Sequence, residues 1–488
     1  CLVCIVKVNG RDRLVPSCAT KAQDGMVVES ETAEVRAARK MAVELLLADH
    51  AGDCVAPCTN ICPAHMDIPQ MLRHISDHKF HEALVVVKEK IALPAVLGRI
   101  CPELCEKGCR RGATDSPVSI CSLKRFVADV DLAAPQPYLP ARLPSTGRRV
   151  AIVGAGPAGL AAAWYLQQLG HDCTLFDEHP QPGGNLRYAV SKSILPDDVL
   201  DAEIDLILRL GASFRSGVRL GQHISLDELR RDHDAVLLTV GEITKDKAAA
   251  MGIPFAGKGT KIDRDTMMTP IDGVFAAGGA VSPLKHAVRA VREGHDAAHV
   301  IHQYLRGEIV APPKSAFVVR LGVLSPEEQQ TLAWEHVEAQ RESSHGLAEG
   351  LAVDGAVEQA DRCLHCNCMK ECDCRLRSIA DRFDANPRRF GLPRKPYERI
   401  ESEFVTYEPG KCIACGLCVQ ITAKAGEQLG LTFIGRGFQM RVAVPFEQKL
   451  ADALRTVAAD VCDACPTAAL ALKKASAQPQ VIQSRPGH

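Results

Sequence analysis

The pattern of apolar and polar residues divides the chain into short strands and amphipathic helices. Residues 31–50 place apolar side chains at the spacing of a helix. Residues 148–170 begin as an apolar run, pass through a glycine-rich turn and continue with helical spacing, which predicts a strand followed by an amphipathic helix. No run of eighteen apolar residues occurs, so no membrane-spanning helix is predicted. At 488 residues the chain is long enough for about three or four domains.

Composition and charge indicate which kinds of molecule the protein is expected to bind. Hydrophobic residues make up 46% of the chain and charged residues 24%, which is ordinary for a globular protein. The 58 basic and 59 acidic side chains nearly cancel, so no basic field favours nucleic acid or an anionic membrane. Residues 1–30 lack the pattern of a signal peptide. We expect a cytoplasmic protein whose partners are proteins and small cofactors.

Cysteine is the most informative residue type. Nineteen of the 21 cysteines fall in four groups, and most neighbouring cysteines within a group are separated by only one to three residues. Such spacing suits a shared metal centre better than separate disulfides in a long chain without an export signal. The motifs C-x2-C-x2-C and C-x3-C-x3-C-P, with few histidines at ligand spacing, favour iron–sulfur clusters over zinc.

The first group, Cys1, Cys4 and Cys18, supplies three thiolates of a plant-type [2Fe–2S] loop. The chain begins inside this motif, and we expect the fourth ligand to lie upstream. A structural trio of cysteines is the alternative. The segment LVPSCATKAQDGMVV resembles the N-terminal ferredoxin-like domain of the large iron–sulfur subunit of respiratory complex I and of related hydrogenases and formate dehydrogenases. Residues 1–30 are therefore predicted to be a partial ferredoxin-like domain.

The second group lies in residues 31–135 and contains Cys-x3-Cys-x3-Cys-Pro followed by GRICPELCEKGC. With its flanks AHMDIP and SPVSICSLKRF, it resembles the two-cluster helical domain of the glutamate synthase small subunit and its relatives. The resemblance implies two [4Fe–4S] clusters with interleaved ligands. We expect one cluster on Cys62, Cys101, Cys105 and Cys121, and the other on Cys54, Cys58 and Cys109, with His50 as a candidate fourth ligand. A histidine at a helix end, beside a carboxylate, is the commoner alternative for His50.

A G-x-G-x-x-G fingerprint follows a predicted strand and opens a helix, as dinucleotide binding requires. Its glycines are Gly154, Gly156 and Gly159, and Asp177 follows the next strand, where it could accept the ribose hydroxyls of an adenosine. The segments PGGNLRY and GVFAAGGAV resemble the FAD-binding pattern of the same family and add Gly183, Gly184, Leu186, Arg187, Gly278, Gly279 and Ala280. Relatives carry an aspartate in place of Gly279. Residues 146–310 are predicted to form a Rossmann-like FAD domain.

The family resemblance also exposes a difference. Relatives insert a complete NADPH-binding domain before the GVFAAGG motif, whereas only about thirty residues are available at 243–272, too few for a nucleotide-binding βαβαβ unit. We therefore expect no direct hydride exchange with NAD(P)H on this chain. A flavin-free scaffold is the alternative.

Two further cysteine groups follow. In a helical connector at residues 325–400 we expect a [4Fe–4S] cluster, with zinc as the alternative and Cys372 as a spare thiol, on Cys363, Cys366, Cys368 and Cys374. Residues 401–475 carry ferredoxin spacing and resemble a cluster segment of the complex I subunit; the ligands are Cys412, Cys415, Cys418 and Cys465. Thr422 replaces the cysteine that a second cluster would need. Cys173 and Cys462 are interpreted as packing residues.

The sequence thus predicts a multidomain α/β and α+β protein: a partial [2Fe–2S] segment, a helical two-cluster domain, a Rossmann-like FAD domain and a C-terminal ferredoxin-like domain. The cofactors would be FAD, one [2Fe–2S] and up to four [4Fe–4S] clusters. We expect an electron-transfer subunit whose partners resemble an NADH-oxidising flavoprotein and a hydrogenase or formate dehydrogenase. The alternative is a self-sufficient NAD(P)H-dependent flavin reductase.

Overall fold

The computed structural model describes residues 4–10, 13–313, 317–333, 337–344, 349–371, 373–391 and 393–473. Two of the predicted cluster residues or spare thiols, Cys1 and Cys372, lie outside these ranges. The remaining cysteines are free thiols.

Several helices begin at a residue whose side chain caps the first turn. Thr32 accepts a hydrogen bond from the N–H of Val35, and Ser225 and Ser325 form capping boxes. The α-helices are α1 Ala33–Ala48, α2 Pro57–Ile61, α3 Ile68–Ser76, α4 Phe80–Lys88, α5 Pro94–Ile100, α6 Leu104–Lys107, α7 Ile120–Leu132, α8 Pro157–Gln168, α9 Asn185–Tyr188, α10 Asp197–Arg209, α11 Leu226–Asp232, α12 Lys245–Ala250, α13 Ala287–Leu305, α14 Pro326–Leu332, α15 Val353–Asp361, α16 Arg375–Arg382, α17 Leu417–Ala425, α18 Leu450–Ala453 and α19 Ala458–Ala464.

The strands are short and belong to several small sheets and one larger sheet. They are β1 Ile5–Val8, β2 Val15–Pro16, β3 Val28–Glu29, β4 Arg149–Val153, β5 Asp172–Phe176, β6 Ser213–Arg215, β7 Ala235–Leu238, β8 Phe255–Ala256, β9 Gly259–Thr260, β10 Val274–Ala276, β11 Ile400–Glu401, β12 Val405–Tyr407, β13 Thr432–Ile434, β14 Arg441–Ala443 and β15 Leu470–Leu472. No helix in the described ranges is both long and apolar enough to cross a bilayer.

The chain divides into two compact units. The first comprises Cys1–Ala56, Ala316–Glu335 and Leu364–His488, and the second comprises Pro57–Ser315 and His336–Cys363. In sequence, the second unit therefore interrupts the first directly after Ala56. This division separates cysteines that are close neighbours along the chain.

A five-stranded parallel sheet organises the second unit. Its strand order is β10-β7-β4-β5-β6, and every pairing is parallel. Val153 at the end of β4 is paired with both Phe176 and Leu238, so the carboxyl ends of three strands meet at one edge. Apolar residues fill the sheet on both sides, and α8 packs against α13. Parallel strands with buried faces explain the continuous apolar runs of the sequence.

The segment between β7 and β10 is short and simple. Residues 239–273 contain helix α12 and an antiparallel hairpin in which β8 pairs with β9. These elements pack through Ala248, Ile253 and Phe255 against the core of the sheet. They form no βαβαβ nucleotide-binding unit.

Glu203 joins the helical part of the second unit to its sheet domain. This residue lies on α10, is 2% exposed, and accepts the N–H groups of Ala95 (3.0 Å) and Val96 (2.8 Å) at the start of α5. Because these amides belong to the first turn of α5, they have no partners within that helix. Helix α5 leads directly to Cys101, so this contact fixes a cluster cysteine relative to the sheet domain.

Replacing Glu203 by alanine should destabilise the second unit by about 2–4 kcal/mol, because two buried amides lose their hydrogen-bond acceptor. Burial raises the pKa of Glu203 to about 7. A pKa raised in the folded state gives a stability contribution that is lost as the pH rises through about 7. The loss in Glu203→Ala should therefore be larger at pH 5 than at pH 8. Fluorescence-monitored thermal unfolding of both proteins measures it.

Asp205→Ala is the matched control, since Asp205 lies on the same helix but its side chain is 61% exposed and pairs with Arg209 on the helix surface. The linking role of Glu203 would be contradicted if both substitutions shifted the unfolding midpoint equally.

Small antiparallel sheets build the first unit. One has the order β2-β1-β3, another has the order β11-β12-β15, and β13 pairs with β14. Tyr407 is buried in the C-terminal core and donates its hydroxyl to the carbonyl of Val442 (2.7 Å). Val405, Val461 and Leu470 pack in the same core. The mixture of a parallel α/β sheet and antiparallel α+β parts confirms the predicted fold class.

Candidate cofactor sites

The glycine-rich turn between β4 and α8 is built for close backbone packing. Gly154 has φ +108°, and a Cβ atom there would lie 2.3 Å from the carbonyl oxygen of Thr239. A Cβ on Gly159 would lie 2.0 Å from the oxygen of Gly154. Gly156 differs, because the nearest atom to its Cβ position is the Cα of Gly184 at 4.0 Å. Open space beside Gly156, at the N-terminus of α8, fits the approach of a pyrophosphate.

Asp177 secures this turn from the end of β5. It is 7% exposed, and its Oδ2 accepts the N–H of Ala155 at 2.7 Å. Its Oδ1 accepts the N–H of His179 at 2.9 Å and lies 2.8 Å from the Nδ1 of the same histidine. If Asp177 accepts the ribose hydroxyls as predicted, it does so with a carboxylate that already accepts hydrogen bonds from its own loop.

The PGGNLRY segment folds against the fingerprint. The N–H of Gly183 donates to the carbonyl of Ala155 (2.8 Å), and Leu186 is buried. The guanidinium of Arg187 donates to the carbonyl of Pro182 and to the carboxylates of Asp197 and Asp201 on α10. We expect Arg187 to bind cofactor, but these bonds hold its side chain within its own loop. The motif resemblance that suggested Arg187 as a cofactor ligand does not include α10, and therefore could not predict these ion pairs.

The GVFAAGGAV segment places Gly278, Gly279 and Ala280 in a 3₁₀ turn after β10. The N–H of Gly278 donates to Oε2 of Glu293 on α13 at 2.6 Å, and Glu293 is a residue that sequence reasoning missed. A Cβ on Gly279 would lie 3.2 Å from the backbone nitrogen of Glu242. The aspartate of the relatives would therefore need a small backbone shift in this chain.

Four cysteines converge in the helical part of the second unit. Cys101 is in hydrogen-bonding contact with Cys121, and Cys121 with Cys105. Cys62 lies close to the same buried lysine as these three thiols. All four are buried. The hydrogen bond with Cys121 and burial raise the pKa of Cys101, so the bare thiol of Cys101 would stay neutral, whereas a bound cluster requires thiolates.

A second group surrounds Cys109 in the same unit. The guanidinium of Arg111 donates to the carbonyl of Arg362 at 2.9 Å, so the segments that carry Cys109 and Cys363 lie side by side. Arg111 and Arg362 are fully buried, and both pair with Asp115. The Arg111 hydrogen bond holds the pKa of Asp115 well below its usual range. Two buried cations share one carboxylate, which leaves positive charge beside these cysteines.

Cys58 belongs to the same neighbourhood. It lies in α2, which packs against α6 just before Cys109. A Cβ on Gly108 would lie 2.4 Å from Cδ1 of Ile61, which shows how closely the two segments approach.

The first unit brings Cys54 together with cysteines that lie over three hundred residues away in sequence. Cys54, Cys368 and Cys374 line one pocket with His50. Cys54 is held there by Val319, whose N–H donates to its sulfur at 3.3 Å and whose carbonyl accepts its N–H at 3.1 Å. Burial raises the pKa of Cys54 to about 11.

His50 fits this pocket as a nitrogen ligand. It is 8% exposed, and its Nδ1 is buried without a hydrogen-bond partner in the described part of the chain. Burial lowers the pKa of His50 to about 3, with Lys411 and Lys395 adding to the effect. The imidazole is therefore neutral, which is the form that binds metal. The alternative for His50 was a histidine at a helix end beside a carboxylate. The groups that shift the pKa of His50 are two lysines, and no carboxylate is among them.

This grouping differs from the expected one. The sequence placed Cys54 with Cys58, Cys109 and the candidate His50, and placed Cys363 with Cys366, Cys368 and Cys374. The structure assigns Cys54 and Cys363 to the opposite neighbourhoods, because the second unit begins after Ala56 and ends at Cys363. Spacing along the chain cannot reveal such an exchange.

The C-terminal cysteines lie together, as their ferredoxin-like spacing predicts. One pocket of the first unit is lined by Cys412, Cys415, Cys418 and Cys465. Burial raises the pKa of Cys418 to about 12. Thr422 is 1% exposed, donates to the carbonyls of Cys418 and Val419, and accepts the N–H of Leu431. It therefore has a structural role where a second cluster would need a thiolate.

The remaining cysteines have simple surroundings. The sulfurs of Cys4 and Cys18 lie 3.3 Å apart, close enough to share a metal centre and too far for a disulfide. Cys173 and Cys462 are buried in apolar cores at 2% and 1% exposure. Their positions agree with a packing role.

Three family models match successive parts of the chain. Residues 1–33 match a 2Fe-2S iron-sulfur cluster binding domain. Residues 29–135 match dihydropyrimidine dehydrogenase domain II, which carries a 4Fe-4S cluster. Residues 137–294 match the pyridine nucleotide-disulphide oxidoreductase family, whose domain binds FAD. These matches confirm the predicted cofactor classes.

Curated relatives are oxidoreductases. The chain is 35% identical over 286 residues to the NADP(+)-dependent formate dehydrogenase subunit beta of Moorella thermoacetica, with 52% of this chain and 40% of that protein covered. It is 36% identical over 273 residues to the NADPH-Fe(3+) oxidoreductase subunit beta of Geobacter sulfurreducens, with the same two coverages. It is 30% identical over 281 residues to the glutamate synthase [NADPH] small chain of Escherichia coli, with 54% of this chain and 59% of that protein covered.

The chain spans less than half the length of the two beta subunits and somewhat more than half of the small chain. In this chain the part that matches the 4Fe-4S domain is followed directly by the part that matches the FAD-binding oxidoreductase domain. The chain thus carries domains of iron–sulfur and FAD-type oxidoreductases, and over 281 residues it is similar to the glutamate synthase small chain.

Proposed function

We propose that the chain is an electron-transfer subunit of a multi-subunit oxidoreductase, relaying electrons through FAD and several iron–sulfur clusters. The observation that carries this proposal is the packing of a flavin-binding sheet and a four-cysteine group into one compact unit, joined through Glu203. FAD exchanges electrons in pairs or singly, and iron–sulfur clusters exchange them one at a time. The polypeptide fixes the distance between these sites and excludes water from the buried thiols.

The grouping of the cysteines in pockets and on packed segments supports the following cluster sites. One [4Fe–4S] site is Cys62, Cys101, Cys105 and Cys121, and another is Cys412, Cys415, Cys418 and Cys465. A third is centred on Cys54, Cys368 and Cys374, with His50 as a candidate ligand. Cys58, Cys109 and Cys363 contribute to a fourth. Cys4 and Cys18 contribute to a [2Fe–2S] site.

The third site makes a specific prediction. Cys54→Ser and Cys374→Ser should each remove the same cluster signal from the electron paramagnetic resonance (EPR) spectrum of the reduced protein, because both sulfurs line one pocket. The signal that depends on Cys101 should remain in both variants. The matched control is Cys173→Ala, which replaces a buried cysteine outside every group and should retain all signals.

The alternative grouping gives a different result. If Cys54→Ser removed the signal that depends on Cys109 and left the signal that depends on Cys374, the ligand order expected from sequence spacing would be correct.

The partners would be redox proteins. Two relatives are beta subunits of a formate dehydrogenase and of an NADPH-Fe(3+) oxidoreductase. By analogy, this chain would connect a subunit like an NADH-oxidising flavoprotein to a catalytic subunit such as a hydrogenase or formate dehydrogenase. The nearly neutral balance of 58 basic and 59 acidic side chains favours neither a polyanionic nor a polycationic partner.

Anaerobic reduction of the isolated full-length chain tests the proposal. Dithionite should bleach the flavin and cluster absorbance, whereas NADH or NADPH alone should leave the flavin band unchanged, because residues 239–273 form only a helix and a hairpin. When a diaphorase that oxidises NADH is added together with NADH, the flavin and the clusters should become reduced. Rapid flavin bleaching by either nucleotide alone would favour the alternative, a self-sufficient reductase of the glutamate synthase small-subunit class.

A further inference from the structure

The side chain of Lys124 is buried against the cluster cysteines of the second unit without an acidic partner. It lies on α7, is 3% exposed, and its Nζ is 3.9 Å from the sulfur of Cys121. In the part of the chain that the structure describes, no carboxylate lies within ion-pair distance of this Nζ. An unpaired ammonium buried in a protein core is strongly unfavourable.

Nearby acidic groups are already committed to other partners. Glu106 accepts the N–H of Cys121 at 2.9 Å with one oxygen and pairs with Arg341 at 2.5 Å with the other. Asp129, one turn further along α7, pairs with Arg99 and Arg125. The negative charge that compensates Lys124 has to come from the sulfurs.

The charges around Lys124 agree with the sulfurs as the source of the compensating negative charge. The four cysteines Cys121, Cys101, Cys105 and Cys62 are the groups whose charges act on the buried ammonium of Lys124. A cluster held by four thiolates is a net anion, and each added electron makes it more negative. A fixed cation therefore stabilises the reduced form more than the oxidised form.

We propose that Lys124 is the built-in counter-ion of the cluster on Cys62, Cys101, Cys105 and Cys121, and that it raises the reduction potential of this cluster. Its role would be to place a positive charge beside the cluster and so to tune the potential. This inference rests on the proposed cluster site but not on the identity of the partners. The cluster would act as the preferred electron acceptor beside the flavin domain of the second unit.

A contrasting lysine shows why the absence of an acidic partner matters. Lys411 lines the pocket of Cys54, Cys368 and Cys374 and is equally buried, but it is ion-paired with Glu408. That pair is electrically neutral overall, so it should raise the potential of its cluster much less than Lys124 does.

The test is an EPR-monitored redox titration of the anaerobic full-length chain. The relevant signal is the one that disappears in Cys101→Ala. In Lys124→Met, the ratio of reduced to oxidised cluster at a fixed ambient potential should fall at least about tenfold, equivalent to about 59 mV for one electron. Lys124→Arg keeps the charge and should stay close to the wild-type potential.

Lys88→Met is the matched control. Lys88 is 4% exposed and lies in the same unit, but its surroundings contain Glu203 and Trp164 rather than cysteine. This variant should leave the titration midpoint unchanged. A Lys124→Met protein that keeps its cluster at the wild-type potential would overturn the proposal.

Iron and sulfide analysis covers the case in which the variant fails to assemble the cluster. Loss of the cluster in Lys124→Met together with its retention in Lys124→Arg would support a requirement for the charge. Loss in both variants would show that side-chain shape, rather than charge, is needed, and would overturn the counter-ion role. Loss of the signal from wild-type protein as well would contradict the cluster site itself.

Discussion

Cys465→Ser should remove about four iron and four sulfide per chain, the content of one [4Fe–4S] cluster, while the remaining clusters persist. The sulfur of Cys465 lines the same pocket as Cys412, Cys415 and Cys418, and it closes that group from about fifty residues away in sequence. Three cysteines cannot complete a four-thiolate site. Iron and acid-labile sulfide analysis, with EPR of the reduced protein, measures the loss.

Cys462→Ala is the control for this prediction. Cys462 lies on α19 only three residues before Cys465, but it is buried in the apolar core with Val461 and Leu470. Its replacement should lower thermal stability without changing the iron content. Equal iron loss in both variants would mean that disruption of α19, rather than removal of a ligand, accounts for the result.

Gly156→Ala should abolish stable FAD binding while the protein still folds. The added methyl group meets no atom of the chain closer than 4.0 Å, so packing tolerates it. It would occupy the open space beside the N-terminus of α8, where the fingerprint backbone has to approach the pyrophosphate. We expect FAD affinity to fall at least about a hundredfold, as measured by flavin retention after gel filtration and by fluorescence titration of the apoprotein.

Gly350→Ala provides the comparison in the same unit. Its added Cβ would lie at an ordinary contact distance of 3.7 Å from Asp129, away from the fingerprint turn. This variant should keep a full complement of flavin. Wild-type flavin content in Gly156→Ala would contradict the placement of the pyrophosphate beside this glycine.

Local spacing was sufficient where all ligands of a site lie in one domain. The C-terminal cysteines share a pocket because a ferredoxin motif carries its own turn and helix, and Thr422 fills the position of the absent cysteine with backbone hydrogen bonds. The glycine fingerprint was equally informative, because strand, turn and helix are contiguous. The predicted fold class and cofactor classes are confirmed for the same reason.

Long-range pairing could not be predicted from one sequence. Cys54 is joined to Cys368 and Cys374 through its bonds with Val319, and nothing in its local motif indicates that segment. Glu203 and Glu293 were also missed, because a buried acid that accepts backbone N–H groups has no sequence signature. Arg187 shows the converse, since a residue in a recognised motif is committed to its own loop.

The functional consequence of this architecture is a division between two kinds of sites. The second unit contains the flavin turn and an unbalanced positive charge at Lys124, whereas the first unit contains a cluster pocket with a neutral Lys411 and Glu408 pair. If the proposed sites are correct, electrons in the second unit would favour the cluster beside Lys124. A fixed order of potentials is what a relay between partner subunits needs.

Flavin photoreduction of the anaerobically prepared full-length chain is the most direct test of the relay. After chemical analysis of iron, sulfide and flavin, light with a sacrificial donor would deliver electrons to FAD, and EPR would follow the clusters. The account predicts a brown protein in which cluster signals appear at the expense of reduced flavin, independently of protein concentration. A colourless protein with disulfides or zinc, or a flavin that holds its electrons while the clusters stay oxidised, would contradict it.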